Sequence, residues 1–142
     1  MIKHAITAWL WLVLGLSLAA CAGGVYPIKS TAVATEPTAW ATVKNPPNPL
    51  LLGHWRRIPP GKFRRPDIYD YWLVRRGDRY AVYYYWQGHE IEQRYQGWAP
   101  FIIDGDVLTS QVDDSRFFVR DGRVWHNLGG RPLDSPMKKA GD

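Results

Sequence analysis

The chain has 142 residues, 18 Lys and Arg against 13 Asp and Glu, and a single cysteine. That length holds one domain, one cysteine excludes an internal disulfide, and a net charge of +5 is too weak a bias to imply nucleic acid.

Residues 1–20 open with Met1-Ile2-Lys3-His4, a short basic head, and run from Ala5 to Ala20 with only Thr7, Gly15 and Ser17 interrupting an apolar stretch. A charged head, an apolar middle and small residues at the end make a secretory signal. The run is shorter than the roughly 20 apolar residues a membrane-spanning helix needs. It closes on Leu18-Ala19-Ala20-Cys21: an aliphatic residue, two small residues and the thiol. Small side chains let a processing peptidase close on the backbone, and a thiol is the nucleophile that forms a thioether to diacylglycerol. These four residues resemble the lipobox of bacterial lipoproteins. The resemblance implies cleavage before Cys21, lipidation of its sulfur and acylation of its new amine. Two or more acyl chains, at about 0.8 kcal/mol per buried methylene, make a stable anchor. Ala22 rather than Asp after the cysteine implies, by the same resemblance, the outer membrane with the domain facing the periplasm.

Residues 21–49 are rich in Ala, Thr, Pro, Gly and Asn and end in Asn45-Pro46-Pro47-Asn48-Pro49. Prolines remove backbone donors and favour extended, solvated chain, so the segment reads as a Pro-rich flexible linker. Extended at about 3.1 Å per residue, positions 22–49 would reach some 80 to 90 Å from the membrane. Trp40 either docks on the domain or lies at the lipid headgroups.

Past Leu50 the texture changes to short apolar or alternating runs. Gly77-Asp78, Gln87-Gly88, Gln96-Gly97, Asp104-Gly105, Asp113-Asp114-Ser115, Asp121-Gly122 and Gly129-Gly130 punctuate it, a spacing expected of an all-β domain. Asp-Gly between apolar runs is the strongest short hairpin signal. The spacing predicts strands near 51–58, 69–76, 79–86, 89–95, 98–103, 106–112, 116–120 and 123–128, about eight short antiparallel strands in an up-and-down barrel or sandwich spanning 50–134. In the fourth run Glu90, Glu92 and Arg94 alternate with Ile91, Gln93 and Tyr95, giving one wet and one buried face. Tyr80-Ala81-Val82-Tyr83-Tyr84-Tyr85-Trp86 is apolar or aromatic on both faces, so it is either covered on both sides or lends an aromatic face to binding. The tail 135–142 reads as frayed.

Gly53-His54-Trp55 opens the first of these strands. It is similar to the Gly-x-Trp signature with which lipocalins begin their barrel. The resemblance covers these three residues and implies that the ring plugs one end of a barrel beneath an arginine from the closing strands, for which Arg123 and Arg131 are available. It also implies a carrier of a hydrophobic ligand, with Trp55, Tyr71, Trp72, Tyr84 and Trp86 as candidate ligand-binding aromatics.

No catalytic pattern emerges. His54, His89 and His126 stand far apart, and neither Gly-x-Ser-x-Gly nor His-Glu-x-x-His is present. The histidines lack the spacing of a zinc site, Asp104-Gly105-Asp106 lacks the further oxygens of a calcium loop, and no cofactor is expected. Arg76-Gly77-Asp78 spells an adhesion tripeptide but is needed as a hairpin tip. The segment 56–66 is the most individual: Arg56, Arg57, Lys62, Arg64 and Arg65 stand with three prolines and no acid. Its natural partners would be anionic lipid, lipopolysaccharide or an acidic protein surface, although charge runs often serve only solubility. The sequence therefore points to a lipid-anchored envelope protein that binds rather than catalyses. A lipocalin-like carrier, an inhibitor or scaffold using residues 56–66, and an envelope hydrolase are the alternatives.

Overall fold

The computed structural model describes residues 28–59, 67–88 and 94–141. A single helical turn, α1 (Ser30–Val33), precedes ten strands: β1 Thr42–Asn45, β2 Gly53–Arg57, β3 Ile68–Arg76, β4 Arg79–Gln87, β5 Arg94–Ala99, β6 Phe101–Asp104, β7 Val107–Ser110, β8 Ser115–Arg120, β9 Arg123–Leu128 and β10 Ser135–Lys139. The leader 1–20, Cys21, Lys62, Arg64, Arg65, His89 and the run 89–93 lie outside the described residues.

The strands form one sheet in the order β1-β6-β7-β8-β9-β10-β2-β3-β4-β5. Every pairing is antiparallel except that of β1, which lies parallel to β6. β5 stands at one edge of this order and β6 near the other, yet only Pro100 separates them. Two chain steps span at most about 7 Å, so the sheet must curl until its far ends share one bent segment. Proline at the bend fits, because it has no N–H to continue a ladder. With β5 and β6 taken as one bent strand and β1 as an addition, eight strands make the curled half-barrel. The all-β class holds, and the expected strands coincide with β2, β3, β4, β7, β8 and β9. Asp121 and Gly122, at φ of 51° and 71°, supply the two left-handed residues that a tight β8–β9 hairpin requires.

Three expectations fail. The tail is not frayed: β10 pairs with both β9 and β2, with Ser135 and Met137 buried, and so joins the two halves of the sheet. The unpaired edges of β2 and β9 supply the drive, and Pro136 needs no donor because its carbonyl accepts from Ile58 N at 2.8 Å. Gln96-Gly97 is not a turn but lies within β5, where Gly97 pairs with Tyr84. The segment from Ile28 onward is not a spacer. It covers the outer face of β3, β4 and β5, burying Ile28 and Val33 against Ala81, Tyr85 and Trp98. Trp98 Nε1 donates to Thr35 Oγ1 at 3.2 Å, Arg76 donates to the Val33 carbonyl, and Arg79 sits 3.8 Å over the Trp40 ring. Trp40 therefore docks on the domain. β1 then adds an edge strand, with Ala41 N donating to Tyr80 O at 2.9 Å.

Inside the curl the core is aromatic. Tyr71, Tyr84, Phe101 and Phe117 are fully buried, with ring centroids 4.7 Å apart for Tyr71–Phe117, 5.4 Å for Tyr84–Phe101 and 5.9 Å for Tyr84–Phe117. Edge-to-face and tilted contacts of this kind add to the area each ring buries. Leu51, on a 3-10 turn at Pro49–Leu51, is fully buried and accepts from Tyr71 Oη at 3.0 Å through its carbonyl.

Candidate functional site

Strands β2, β4, β7 and β9 end, and β3, β5, β8 and β10 begin, at the same end of the curled sheet. Alternation brings polar residues to the inner face at this end. Ser115 on β8 and His126 on β9 stand where Phe117 and Val124 continue the core, and both are buried. Tyr84 Oη donates to Asp113 Oδ2 at 2.8 Å, Ser115 Oγ lies 3.2 Å from the same carboxylate oxygen, and His126 Nε2 is 3.0 Å from Ser115 Oγ. Burial, first, and then the charge of Asp113 push the Tyr84 phenol well above its ordinary range, so it keeps its proton. With Ser115 donating to Asp113, the hydroxyl oxygen accepts from His126, which assigns the imidazole proton to Nε2. Burial, followed by the charge of Arg57, lowers the His126 pKa to about 3, so the ring is neutral. His126 is stacked between Tyr69 at 4.2 Å and Phe117 at 5.0 Å.

This chain has the side chains of a serine hydrolase in the wrong order. A nucleophilic serine must give its proton to the histidine, whose other nitrogen a carboxylate orients. Here the serine hydroxyl donates its hydrogen bond to the carboxylate instead, and Ser115 is fully buried. The second histidine lies on the opposite face. His54 bonds Asp70 and stacks on Trp72 at 4.7 Å, and Arg56 clamps the other oxygen of Asp70 through Nε at 3.2 Å and Nη2 at 3.0 Å. His54 and Asp70 are both buried. Being on opposite faces, His54 and His126 cannot share a metal, and among the described residues no group of three His, Cys, Asp or Glu could hold one.

The predicted site residues divide accordingly. Trp55, Tyr71 and Tyr84 are buried in the core, so they build no open ligand wall; Trp86 is half-buried on the inner face, and Trp72 lies on the outer face beside the N-terminal arm. Arg56 and Arg57 part company: Arg56 is tied to Asp70 outside, whereas Arg57 points inward, its guanidinium 5.3 Å over Tyr69. The cation expected over Trp55 is neither Arg123 nor Arg131 but Lys139, with Nζ 5.3 Å from the ring centroid. Gly53, at φ +90°, makes room for it, since a Cβ there would lie 3.3 Å from the Lys139 chain. Asp113, Ser115 and His126 were not expected as a group. Their signal was a polar residue at an inward position of an alternating strand.

No family model, characterised protein or solved structure matches this chain. Among the described residues no helix is long and apolar enough to cross a membrane.

Proposed function

We propose that the chain is a lipid-anchored protein of the bacterial outer membrane whose β domain faces the periplasm and binds rather than transforms. The observation that carries this reading is Leu18-Ala19-Ala20-Cys21 at the end of an apolar leader. The reversed Ser115–His126 hydrogen bond and the burial of His54 and His126 support a domain without bond chemistry. Six residues stand between Cys21 and buried Ile28, so the seven chain steps of the tether reach about 25 Å at most. The domain then works beside its membrane rather than some 80 Å away. In cell fractionation, Cys21→Ser moves the protein from the membrane to the soluble fraction; continued membrane retention refutes the anchor.

A lipocalin-like carrier is the second reading, favoured by the packing of Lys139 over Trp55 across Gly53. The rings that occupy the curl weigh against a hydrophobic cargo there. Native mass spectrometry of the purified protein decides it: a co-purifying lipid adduct supports the carrier, and a bare mass removes it.

A further inference from the structure

The outer face of the curled sheet differs between its two halves. Over β3, β4 and β5 the N-terminal arm buries Ala81, Tyr85 and Trp98. On β7, β8 and β9, Leu108, Phe117 and Val124 face the core, so alternation turns Val107, Phe118 and Trp125 outward, where they stay half-buried and join neither hydrophobic cluster. A cleft of about 320 Å³ opens on this face, lined by Val107, Arg116, Phe118, Val119, Asn127 and Asp134. That is the lower end of the volume range of small-molecule sites. Register builds it: Val107 stands opposite Phe118, and Arg116 opposite Asn127. Such neighbours lie about 5 Å apart, so an apolar pair adjoins a polar one. Asn127 uses both amide hydrogens, on the Arg131 carbonyl at 3.0 Å and on Asp134 Oδ1 at 2.9 Å. Its own side-chain oxygen accepts nothing among the described residues. Arg120 donates to Asp134 Oδ2 at 2.6 Å and lies over the rings of Phe118 and Trp125. The bonds from Arg120 and Asn127 hold the Asp134 carboxyl below its ordinary range, so it is ionised, and each of its oxygens keeps a lone pair. Arg116 is exposed, and among the described residues no hydrogen bond or ion pair engages it.

We propose that this outer cleft binds a pyranose ring of a glycan, with Phe118 and Val107 against the C–H face of the sugar and Arg116, Asn127 and Asp134 on its hydroxyls. Each hydroxyl is both donor and acceptor, and the polar wall offers both kinds of partner: donors on Arg116, acceptors on Asn127 Oδ1 and Asp134. Other occupants fit less. An acyl chain would cover three polar side chains and pair none of them. A simple anion would meet Arg116 but face the ionised Asp134, and it would leave the Phe118 ring unused. A second copy of the chain would bring Arg116, Arg120 and Arg123, all exposed, against their own like. The proposal deepens the reading of a domain that binds rather than transforms, and it rests on that reading but not on the lipid anchor.

The test uses the full chain in a polyoxyethylene detergent, which has no sugar head to compete. Trisaccharides of N-acetylglucosamine, glucose and galacturonic acid are titrated in turn, with glycerol as the acyclic control, and binding is read by saturation-transfer NMR. Saturable transfer to the ring protons of at least one trisaccharide, and none to glycerol, is expected; which one responds gives the charge of the preferred ring. Arg116→Ala weakens that binding about tenfold, the loss of a charged hydrogen-bond donor. Phe118→Leu keeps an apolar side chain but loses the flat ring, and weakens it about fivefold. Asp78→Asn, on the β3–β4 turn of the other half, leaves it unchanged. Circular dichroism monitors folding, and if Phe118→Leu does not fold, Arg116→Ala decides, since Arg116 holds nothing in place. Wild-type affinity in the folded Arg116 and Phe118 variants, or equal transfer to glycerol, overturns the proposal. Transfer to none of the sugars, with none of them cleaved, overturns the proposal alone, whereas new anomeric signals from cleaved sugar overturn it together with the reading of a domain without bond chemistry.

Discussion

Replacing Ile28 and Val33 by Ala tests whether the N-terminal arm belongs to the domain. Ile28 keeps 3% of its surface exposed and Val33 7%. Truncation removes three carbons from one and two from the other, which at about 0.8 kcal/mol per methylene costs roughly 4 kcal/mol together. The cavity cost is small, because an arm lying on the outside of a sheet can settle into the gap. The loss is also capped: once it exceeds the free energy of docking the arm, the arm detaches and the sheet keeps its remaining stability. A drop of about 2 to 4 kcal/mol is therefore expected. With a urea slope of about 2 kcal/mol per molar, the midpoint falls by roughly 1 to 2 M. Urea unfolding followed by tryptophan fluorescence, in the Cys21→Ser background, measures it. A midpoint unmoved by the double substitution, at an unchanged slope, returns residues 28–41 to the role of a spacer and refutes the reasoning.

Three further outcomes follow from the packing. Deleting residues 135–142 removes β10 from between β9 and β2, so the protein loses its cooperative thermal transition by circular dichroism, whereas a dispensable tail would leave the melting curve unchanged. Gly53→Ala forces a side chain into φ +90° and against Lys139, costing about 1 to 2 kcal/mol, read as a lowered melting temperature. His126 is held neutral, with its pKa lowered from 6.5 to about 3, chiefly by burial. A base whose pKa is lower in the folded state gives stability that is complete above the unfolded value and is lost as pH falls from 6.5 towards 3, up to about 5 kcal/mol. Urea midpoints of wild type and His126→Phe between pH 7 and pH 4 check this: the variant is expected to lose less than wild type, and parallel curves contradict it.

The legible parts of the fold are those fixed by local geometry. Asp121-Gly122 and Gly77-Asp78 announce their turns because few residues accept the backbone they need, and β9 follows from alternation alone. The two-sided apolarity of Tyr80–Trp86 left open either covers on both faces or one face lent to binding, and β4 packs on both faces. Its outer cover was hidden, because Ile28 and Val33 stand five apart among Ala, Thr and Ser, a spacing that announces neither helix nor strand. β10 was hidden by its composition. Ser-Pro-Met-Lys-Lys has little β preference of its own, and it is a strand because β9 and β2 leave their edges open on either side.

The same reasoning separates what was readable in the site from what was not. Successive residues of a strand face opposite ways, so two adjacent arginines on β2 had to serve different surfaces, and so did His54 and Trp55. What alternation could not supply was the partner on each side. Asp70 reaches Arg56 because β3 pairs with β2 in a register that sets those two residues opposite each other. Arg57 faces Met137 on β10 across the ladder, a side chain with no charge to offer. A one-residue slip of β3 against β2 would reverse Asp70 to the inner face and strand Arg56 instead. The register thus decides which guanidinium meets the Asp70 carboxylate, and substituting Asp70 by Asn is expected to loosen Arg56 and His54 on the outer face, read as a lowered urea midpoint at an unchanged slope.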